Sequence, residues 1–252
     1  MRAHPRSGPS AQRWLVWGVG VLLATGAGCS RPQISVTVPL LPPLISPPKP
    51  ASAWVELFDG TSLDPWREIS VSGHTRYQLA DLEGRQCLKA QSYGSASILL
   101  YRLDVDPDAH PWLSWAWRVD RLIAEEALER KDGSDAAARV YVYFKTKGLP
   151  WQKRNIDYVW SGSLPVGTLL ESAYSPVSKI IVVESGAASL GQWRQAERNL
   201  EEDYRRCFGQ EAPDVVAIGL MSDADNTRGE TLAYFDDLRL TRRPTQPAAP
   251  GQ

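Results

Sequence analysis

Cysteine, histidine and methionine are scarce in this chain of 252 residues, which holds three, three and two of them. So few cysteines exclude a disulfide framework, and so few histidines leave little material for a histidine-rich zinc site. An excess of charge of one sign is also missing, because 28 basic side chains stand against 29 acidic ones. Since nucleic-acid-binding proteins normally carry a basic excess, no nucleic acid is expected as a partner.

The short motifs of common catalytic sites are missing as well. The sequence contains no HExxH zinc motif, no GxSxG nucleophile motif and no GxxxxGK[ST] phosphate loop. His74 and His110 are the only histidines of the predicted domain, and both fall in predicted loops. Zinc, triad and nucleotide chemistry are therefore not expected, and no cofactor is predicted apart from a structural calcium ion discussed below.

What the chain has in quantity is tryptophan, glycine and proline, with 10, 19 and 19 residues. So many glycines and prolines argue against a helical bundle and favour a fold rich in strands and turns.

The N-terminus has the pattern of an export signal. Arg2, Arg6 and Arg13 precede the uncharged run 14–28, which at fifteen residues is shorter than the roughly 20 needed to span a membrane as a helix. The run ends in GAGCS and resembles a bacterial lipoprotein signal, in which cleavage before Cys29 leaves that cysteine to carry the lipid. Gly26 departs from the larger aliphatic residue preferred there, and plain secretion is the alternative.

The resemblance implies a lipoprotein of the cell envelope that is anchored to the membrane by its lipid. Ser30, in place of an aspartate, implies sorting to the outer membrane, facing the periplasm or the cell surface. We predict a signal peptide at 1–28, a lipidated cysteine and proline-rich tether at 29–52, a β-sandwich domain at 53–241 and a disordered tail at 242–252. The alternative for the tether is an edge strand at residues 34–38 that joins the domain.

Within the predicted domain, apolar residues recur with a period of two. Residues 112–119 (WLSWAWRV) and 139–144 (RVYVYF) place apolar side chains on one face and more polar ones on the other. Further strands are predicted at 54–58, 86–91, 97–103, 157–160, 180–184, 193–199, 215–222 and 231–240. These strands predict a mainly β fold, an antiparallel β-sandwich of the jelly-roll type, either concanavalin/laminin-G-like or galactose-binding-like, with one or two short helices.

Two segments have the residues of short helices. Residues 120–131 are good helix formers followed by Gly133 as a stop. Residues 199–208 have better-defined ends, with Asn199 as N-cap, Glu202 three positions later and Gly209 just beyond the last turn.

Three oxygen-bearing side chains occur within four positions at Asp223, Asp225 and Asn226. Such ligands suit calcium, and they form the one predicted metal site. The alternative is a tight turn, because Asp and Asn bond their own backbone and tolerate left-handed conformations.

Aromatic and charged side chains near these strands suggest a ligand surface. Sugar rings stack their C–H faces on aromatic platforms, and the candidates for such a platform are Trp112, Tyr141, Tyr143, Tyr158 and Trp160. Arg139, on the polar face of its strand, could bind a polar ligand together with Asp135 or Asp132. The alternatives are core packing for the aromatic residues and an edge ion pair for Arg139.

Two further pairs of residues were weighed. Asp236 and Asp237 are adjacent in a predicted strand, so their carboxylates should point to opposite faces and cannot form a catalytic pair. Cys87 and Cys207 are the only cysteines beyond Cys29, and an exported compartment permits a disulfide between them, against the alternative of two buried thiols.

Several motifs, in this order, carry a resemblance to a bacterial family catalogued as domain of unknown function 3047. They are Trp115 and Trp117, D-x-x-x-R-V-Y-V-Y-F from Asp135, Tyr158-Val159-Trp160, IGLMSDADNT from Ile218, and YFDDLRL from Tyr234. The resemblance spans nearly the whole predicted domain but implies no activity. Separately, FDGTSLDPW from Phe58 is similar to the opening of laminin-G-like and keto-glycoside-hydrolase jelly rolls, and YFDDLRL is similar to the last strand of carbohydrate-binding jelly rolls.

Three functions remain open at this point. The first is a non-catalytic module that binds a glycan or another envelope ligand, with Arg139, Tyr141, Tyr158, Trp160, Asp225 and Asn226 as contacts. The second is a glycan-active hydrolase or lyase that uses two of the acids Asp135, Asp223 and Asp225. The third is a structural or assembly lipoprotein without a small-molecule site.

Overall fold

The computed structural model describes residues 54–146 and 153–245. The predicted signal, Cys29, the whole tether and residues 246–252 of the tail lie outside these residues. The elements are β1 (Trp54–Phe58), β2 (Trp66–Ser72), β3 (Arg76–Leu82), β4 (Arg85–Tyr93), β5 (Ala96–Val105), β6 (Trp112–Arg121), β7 (Ala138–Phe144), β8 (Asn155–Ser161), β9 (Leu169–Ser172), β10 (Ser175–Ser185), β11 (Arg194–Asn199), α1 (Leu200–Phe208), β12 (Val215–Met221) and β13 (Glu230–Thr241). In the described part of the chain, no helix has the length and apolar character needed to cross a membrane.

The strands form two sheets, as predicted for a β-sandwich. The six-stranded sheet has the order β11-β6-β13-β4-β3, with β1 also paired to β13. The seven-stranded sheet has the order β2-β5-β12-β7-β8-β10-β9. Its strands pair antiparallel except for β8 and β10, which run parallel. The predicted mainly β sandwich is confirmed, and the structure adds three strands that the pattern did not predict, namely β2, β3 and β9.

Aromatic side chains of the two sheets meet in the core. Trp115 of β6 packs against Tyr158 of β8 with ring centroids 5.4 Å apart, and Trp117 packs against Trp160 at 5.9 Å. All four side chains are almost fully buried. Leu113, Trp115, Trp117 and Val119 thus share the core face of β6, as their alternation predicts.

One of the two predicted helices is present. Helix α1 begins after Asn199, whose side chain accepts from the backbone N–H groups of Glu201 and Glu202. It ends at Gly209, which adopts the left-handed conformation with φ of 68°. This prediction is confirmed at both ends.

The predicted helix at residues 120–131 is wrong. Asp120 and Arg121 continue strand β6, and the rest of the segment consists of turns closed by a bridge between Ala127 and Gly133. Leu128 is fully buried in a small apolar cluster, and the Glu126 carboxylate accepts from the backbone N–H of Gly162 at 2.7 Å. These tertiary contacts outweigh the helix propensity of the segment.

The possible disulfide between Cys87 and Cys207 is absent, and both cysteines are free thiols, which was the alternative. Cys87 is buried on β4, where its thiol contacts the Ala80 carbonyl at 3.6 Å, whereas Cys207 lies half-buried on α1. Cys87 lies on β4 of the six-stranded sheet and Cys207 on α1, and no bridge joins them. Burial raises the pKa of each thiol to about 11.

Candidate functional site

A cavity of about 200 Å³ opens on the outer face of the seven-stranded sheet, the face turned away from the core. Strands β2, β5, β7, β8 and β12 form its floor and one wall, and the turn between β9 and β10 and the loop after β12 form the rest. One side of this outer-face pocket is apolar or aromatic and the other is polar. The lining residues are Ile69, Ser70, Val71, Ile98, Ser134, Arg139, Tyr141, Tyr143, Asn155, Asp157, Ser172, Tyr174, Ser175, Ser178, Met221, Asp223, Asp225 and Asn226.

Two tyrosines of β7 form the aromatic part of the pocket. The rings of Tyr141 and Tyr143 stack with centroids 5.8 Å apart and an interplanar angle of 19°. Gly219 on neighbouring β12 makes room for them, since a Cβ there would lie 2.8 Å from Ile98 Cγ2 and 3.3 Å from Tyr141 Cβ. The two rings therefore form a packed surface at the base of the pocket.

Arg139 is the basic side chain of the pocket and is only 2% exposed. Its Nη1 donates to Asp157 Oδ2, its Nε donates to Asp223 Oδ1 at 2.9 Å, and its Nη2 donates to the Ser134 carbonyl at 2.8 Å. A guanidinium stays protonated in proteins, so one fixed positive charge lies between two carboxylates. The register explains the geometry, because β7 pairs Tyr141 with Asp157 on one side and Arg139 with Met221 on the other.

Asp157 of β8 is 2% exposed, and one of its two carboxylate oxygens lacks a partner. Asp157 Oδ2 accepts from Arg139, whereas Oδ1 is buried without a hydrogen-bond partner in the described part of the chain. Burial raises the pKa of Asp157, and Arg139 and the Tyr141 hydroxyl oppose this shift. A buried acceptor without a donor costs free energy, so a ligand that donates a hydrogen bond to Oδ1 would bind more tightly.

Asp223 follows β12 and is 4% exposed. Its Oδ1 accepts from the backbone N–H of Ala136 at 2.9 Å as well as from Arg139. Burial raises the pKa of Asp223 to about 7, with the charge of Arg139 opposing the shift and that of Asp135 adding to it. This carboxyl group therefore titrates near neutral pH.

The loop after β12 is organised around Asp135, which is fully buried. Asp135 Oδ1 accepts from the backbone N–H of Asn226 at 3.1 Å, and Oδ2 accepts from the N–H and hydroxyl of Thr227 at 2.7 and 2.6 Å. The Asp-rich segment thus forms a turn that a distant carboxylate caps, and Asp135 holds that turn in place.

The predicted metal ligands lie close together, although in a different combination. Asp135, Asp223 and Asp225 each offer a carboxylate oxygen within 4.8 Å of the others. Asp225 is half-buried, and burial and the charge of Asp135 raise its pKa. Both oxygens of Asp135 and Oδ1 of Asp223 already accept hydrogen bonds, and the side chain of Ser72 lowers the pKa of Asp225.

The structure brings most of the predicted contact residues into this one pocket. Arg139, Tyr141, Asp223, Asp225 and Asn226 all line it. The placement of Tyr158 and Trp160 on a ligand platform is wrong, because both are fully buried in the core and packed against Trp115 and Trp117 of the other sheet. Trp112, on the six-stranded sheet, does not line the pocket either.

Asp157 is a pocket residue that was not among the predicted site residues. The signal was available, since an ionisable residue between Ile156 and Tyr158 in a strand must point away from the face that those two residues share. Tyr158 lies opposite Val140 in the ladder, and Val140 faces the core, so Asp157 belongs to the outer face.

Asp236 and Asp237 lie outside the pocket, and the prediction that they point apart is wrong. A bulge interrupts the ladder here, and Asp237 has φ of 51°. Arg85 therefore reaches both carboxylates, each at 2.5 Å. The alternative role of a salt-bridge partner, weighed for one of them, holds for both.

Comparison with known families gave one match. The profile described as "Protein of unknown function (DUF3047)" matches residues 64–239, which is most of the chain. Comparison with curated proteins gave no match.

Comparison with solved structures gave neighbours at low identity. The glycoside hydrolase domain of Endo-D from Streptococcus pneumoniae R6 is 10% identical, with a TM-score of 0.37, and the overlap covers 72% of this chain and 22% of that one. A family 30 carbohydrate-binding module is 11% identical, with a TM-score of 0.38 and coverage of 75% and 98%. SGBP-B from a xyloglucan utilization locus in Bacteroides uniformis is 15% identical, with a TM-score of 0.35 and coverage of 74% and 49%. Likeness at these TM-scores carries no argument about function.

Proposed function

We propose, from the premise that this chain belongs to the DUF3047 family of proteins of unknown function, that it is an exported, lipid-anchored module of the bacterial cell envelope that binds a glycan in the outer-face pocket without catalysis. The proposed ligand depends on the pocket, and the proposed localisation depends on the N-terminal sequence.

The observation that carries the ligand proposal is the pair of stacked tyrosines beside an unpaired carboxylate oxygen. A sugar ring presents C–H groups on its faces and hydroxyl donors around its edge. Tyr141 and Tyr143 offer an aromatic surface for the first, and Asp157 Oδ1 offers a buried acceptor for the second. A hydroxyl donated to this oxygen would remove the cost of leaving it unpaired.

The size and lining of the pocket support a small polar ligand. Its volume of about 200 Å³ lies below the roughly 300 to 1,000 Å³ of sites for drug-sized molecules. Amide side chains at Asn155 and Asn226 and several serine hydroxyls can donate or accept along one wall. We therefore expect a single ring of a glycan to enter, with the rest of the glycan outside.

A glycan array tests the ligand proposal. The full chain would be purified in a detergent without a sugar headgroup, so that the detergent does not compete for the pocket. We expect binding to at least one glycan, and a loss of affinity of about tenfold or more in Tyr141→Ala, which equals about 1.4 kcal/mol. Tyr93→Ala is the matched control, because Tyr93 is 56% exposed and is not a lining residue.

Two results of the array would contradict the ligand proposal. The first is an array without signal, which would favour the structural or assembly lipoprotein. The second is equal binding by the wild type and Tyr141→Ala, which would place the ligand elsewhere on the molecule.

A variant of Cys29 tests the proposed localisation. We expect the wild-type chain to fractionate with membranes and to incorporate labelled palmitate, and Cys29→Ser to lose both properties. Cys207→Ser is the matched control, since Cys207 belongs to the folded part of the chain and is a free thiol there. Membrane retention and labelling of Cys29→Ser at the wild-type level would contradict the lipid anchor.

A glycan-active enzyme is the second candidate, and the titration of Asp223 favours it. A buried carboxyl group with a pKa of about 7 can donate a proton at neutral pH. Asp223 and Asp225 offer oxygens within 4.8 Å of each other, near the carboxyl separation of about 5 to 5.5 Å in retaining glycosidases. Release of reducing ends from a glycan that binds on the array, abolished in Asp225→Asn, would establish the enzyme in place of the binding module.

A further inference from the structure

We infer that the ligand of the outer-face pocket carries a positively charged amino group beside its ring hydroxyls, as an amino sugar with a free amine does. This inference rests on the proposed function, because it names the class of glycan that the pocket takes. It excludes uronic acids and sulfated or phosphorylated sugars as preferred ligands.

The balance of buried charge carries the first step. Arg139 is the one basic residue among the lining side chains, whereas Asp157, Asp223 and Asp225 are all acidic. Asp135 adds a further buried carboxylate immediately behind Asp223 and Asp225. The acidic groups therefore outnumber the basic one, and a ligand anion would meet uncompensated charge of its own sign in a poorly hydrated site.

An unpaired acceptor carries the second step, independently of the number of acids. Asp157 lines the pocket with 2% exposure, and its Oδ1 has no hydrogen-bond partner in the described part of the chain. Asp157 Oδ2 already accepts from Arg139, and the Tyr141 hydroxyl, although close enough to lower the Asp157 pKa, does not meet hydrogen-bond geometry to Oδ1, so Oδ1 can accept from a ligand. A charged N–H donor bonds a carboxylate more strongly than a neutral hydroxyl does.

The shape of the pocket carries the third step. The acids lie beside the Tyr141 and Tyr143 rings, and a cation near an aromatic face is itself favourable. A flat ring on these tyrosines would therefore bring a substituent amine to the carboxylates in one pose. A small cation without a ring would contact the carboxylates but would not stack on the tyrosine rings.

Three methyl β-glycosides that differ only in the group at C2 test the inference. They are those of glucose, glucosamine and N-acetylglucosamine, titrated into the full chain by ligand-observed NMR at about pH 7, where a free amine is still largely protonated and Asp223 is partly ionised. We expect the dissociation constant of the glucosamine glycoside to be lower than those of the other two by about tenfold or more. Asp157→Asn should reduce this preference to less than about twofold.

Two further variants protect this test against a failure to fold. Asp225→Asn removes a half-buried acid of the same pocket and should weaken the preference as well. Asp64→Asn makes the same charge change at an exposed residue outside the pocket lining and should leave the preference intact.

Each other outcome overturns the inference. Equal affinities for the three glycosides, or a preference unchanged in both pocket variants, would contradict recognition of the amine. Neither result would contradict glycan binding. No binding of any of the three would also overturn the inference, and a glycan array with signal for other sugars would show that the proposed function survives. A rise in melting temperature with calcium chloride that the amino sugar does not produce would assign the carboxylates to a metal ion instead.

Discussion

The two faces of the seven-stranded sheet use the same strands for opposite purposes. On the inner face, Tyr158 and Trp160 are fully buried, and their polar atoms donate to Asp203 at 2.8 Å and to the Gly186 carbonyl at 3.1 Å. On the outer face, Asp157 immediately precedes Tyr158 in sequence and is almost as deeply buried, but its Oδ1 has no hydrogen-bond partner in the described part of the chain. Burial by itself therefore does not separate core from site, whereas a buried carboxylate on the outer face with an oxygen that lacks a donor marks the site.

The comparison also separates two kinds of electrostatic environment. The inner face is held by aromatic packing and neutral or fully paired polar groups, so its stability should depend little on pH. The outer face holds Arg139 between two carboxylates whose pKa values burial raises, so its stability should follow their protonation. Substitutions on the two faces should therefore differ in pH dependence as well as in size.

The largest effect is expected for Arg139→Met. Removal of the guanidinium leaves Asp157 and Asp223 buried without their shared cation, and breaking such a pair costs about 3 to 5 kcal/mol. The loss in the free energy of unfolding should be greatest at about pH 8 and smaller at about pH 5, because protonation neutralises both acids. Urea denaturation at both pH values measures it.

Arg194→Met is the matched control, since Arg194 is about half-exposed in its pair with Glu184. An exposed pair contributes about 0 to 1 kcal/mol. A loss for Arg139→Met no larger than this would mean that the buried ion pair does not stabilise the outer face.

An intermediate effect is expected for Trp160→Phe on the inner face. The variant loses ring volume and the hydrogen bond to the Gly186 carbonyl, which together cost about 1 to 3 kcal/mol. Because no ionisable group is removed, the loss should be the same at about pH 5 and about pH 8. A loss that changed strongly with pH would end the distinction between the two faces.

The smallest net change at a single pH is expected for Asp223→Asn, because the variant is less stable than wild type at low pH and more stable at high pH. The folded pKa of Asp223 is about 7 and its reference value is 3.8, so the folded state binds the proton more tightly. In the wild type this stabilisation is present below about pH 4 and is lost as the pH rises to about 7. Asparagine does not titrate, so the stability of the variant relative to wild type should rise by about 4 kcal/mol across this window, since each of the about 3 pKa units corresponds to about 1.4 kcal/mol.

Melting temperatures between about pH 4 and pH 8 measure this difference. Asp64→Asn provides the reference for a carboxylate exposed outside the pocket. A variant curve parallel to the wild-type curve would show that Asp223 does not titrate in the folded state as its burial implies.

The sandwich was predictable because its central strands bury one face and expose or half-bury the other. The three strands that the pattern missed, β2, β3 and β9, all end a sheet, where a strand has a neighbour on one side only. Strands β2 and β3 alternate mainly between exposed and half-buried residues, so their apolar periodicity is weak. The helix predicted at residues 120–131 does not form for a related reason. Local helix propensity does not account for the tertiary contacts that bury Leu128.

The site was predictable in part. Arg139 and Tyr141 followed from the alternation of β7, and Asp223, Asp225 and Asn226 followed from their spacing. The position of Tyr158 and Trp160 could not be settled, since alternation says that they share a face and not which face.

The sequence by itself determined what is local and periodic: the alternation that divides Val140 from Tyr141, and the caps that start and end helix α1. Only the tertiary structure decided that Arg139, Asp157 and Asp223 meet. They come from three strands or strand ends that the antiparallel ladders of β7 with β8 and β12 bring side by side. The physical reason is that ladder pairing acts between segments far apart in the chain, so that Arg139 and Asp223 meet although they are 84 residues apart, whereas propensity and periodicity act only between neighbours in the chain.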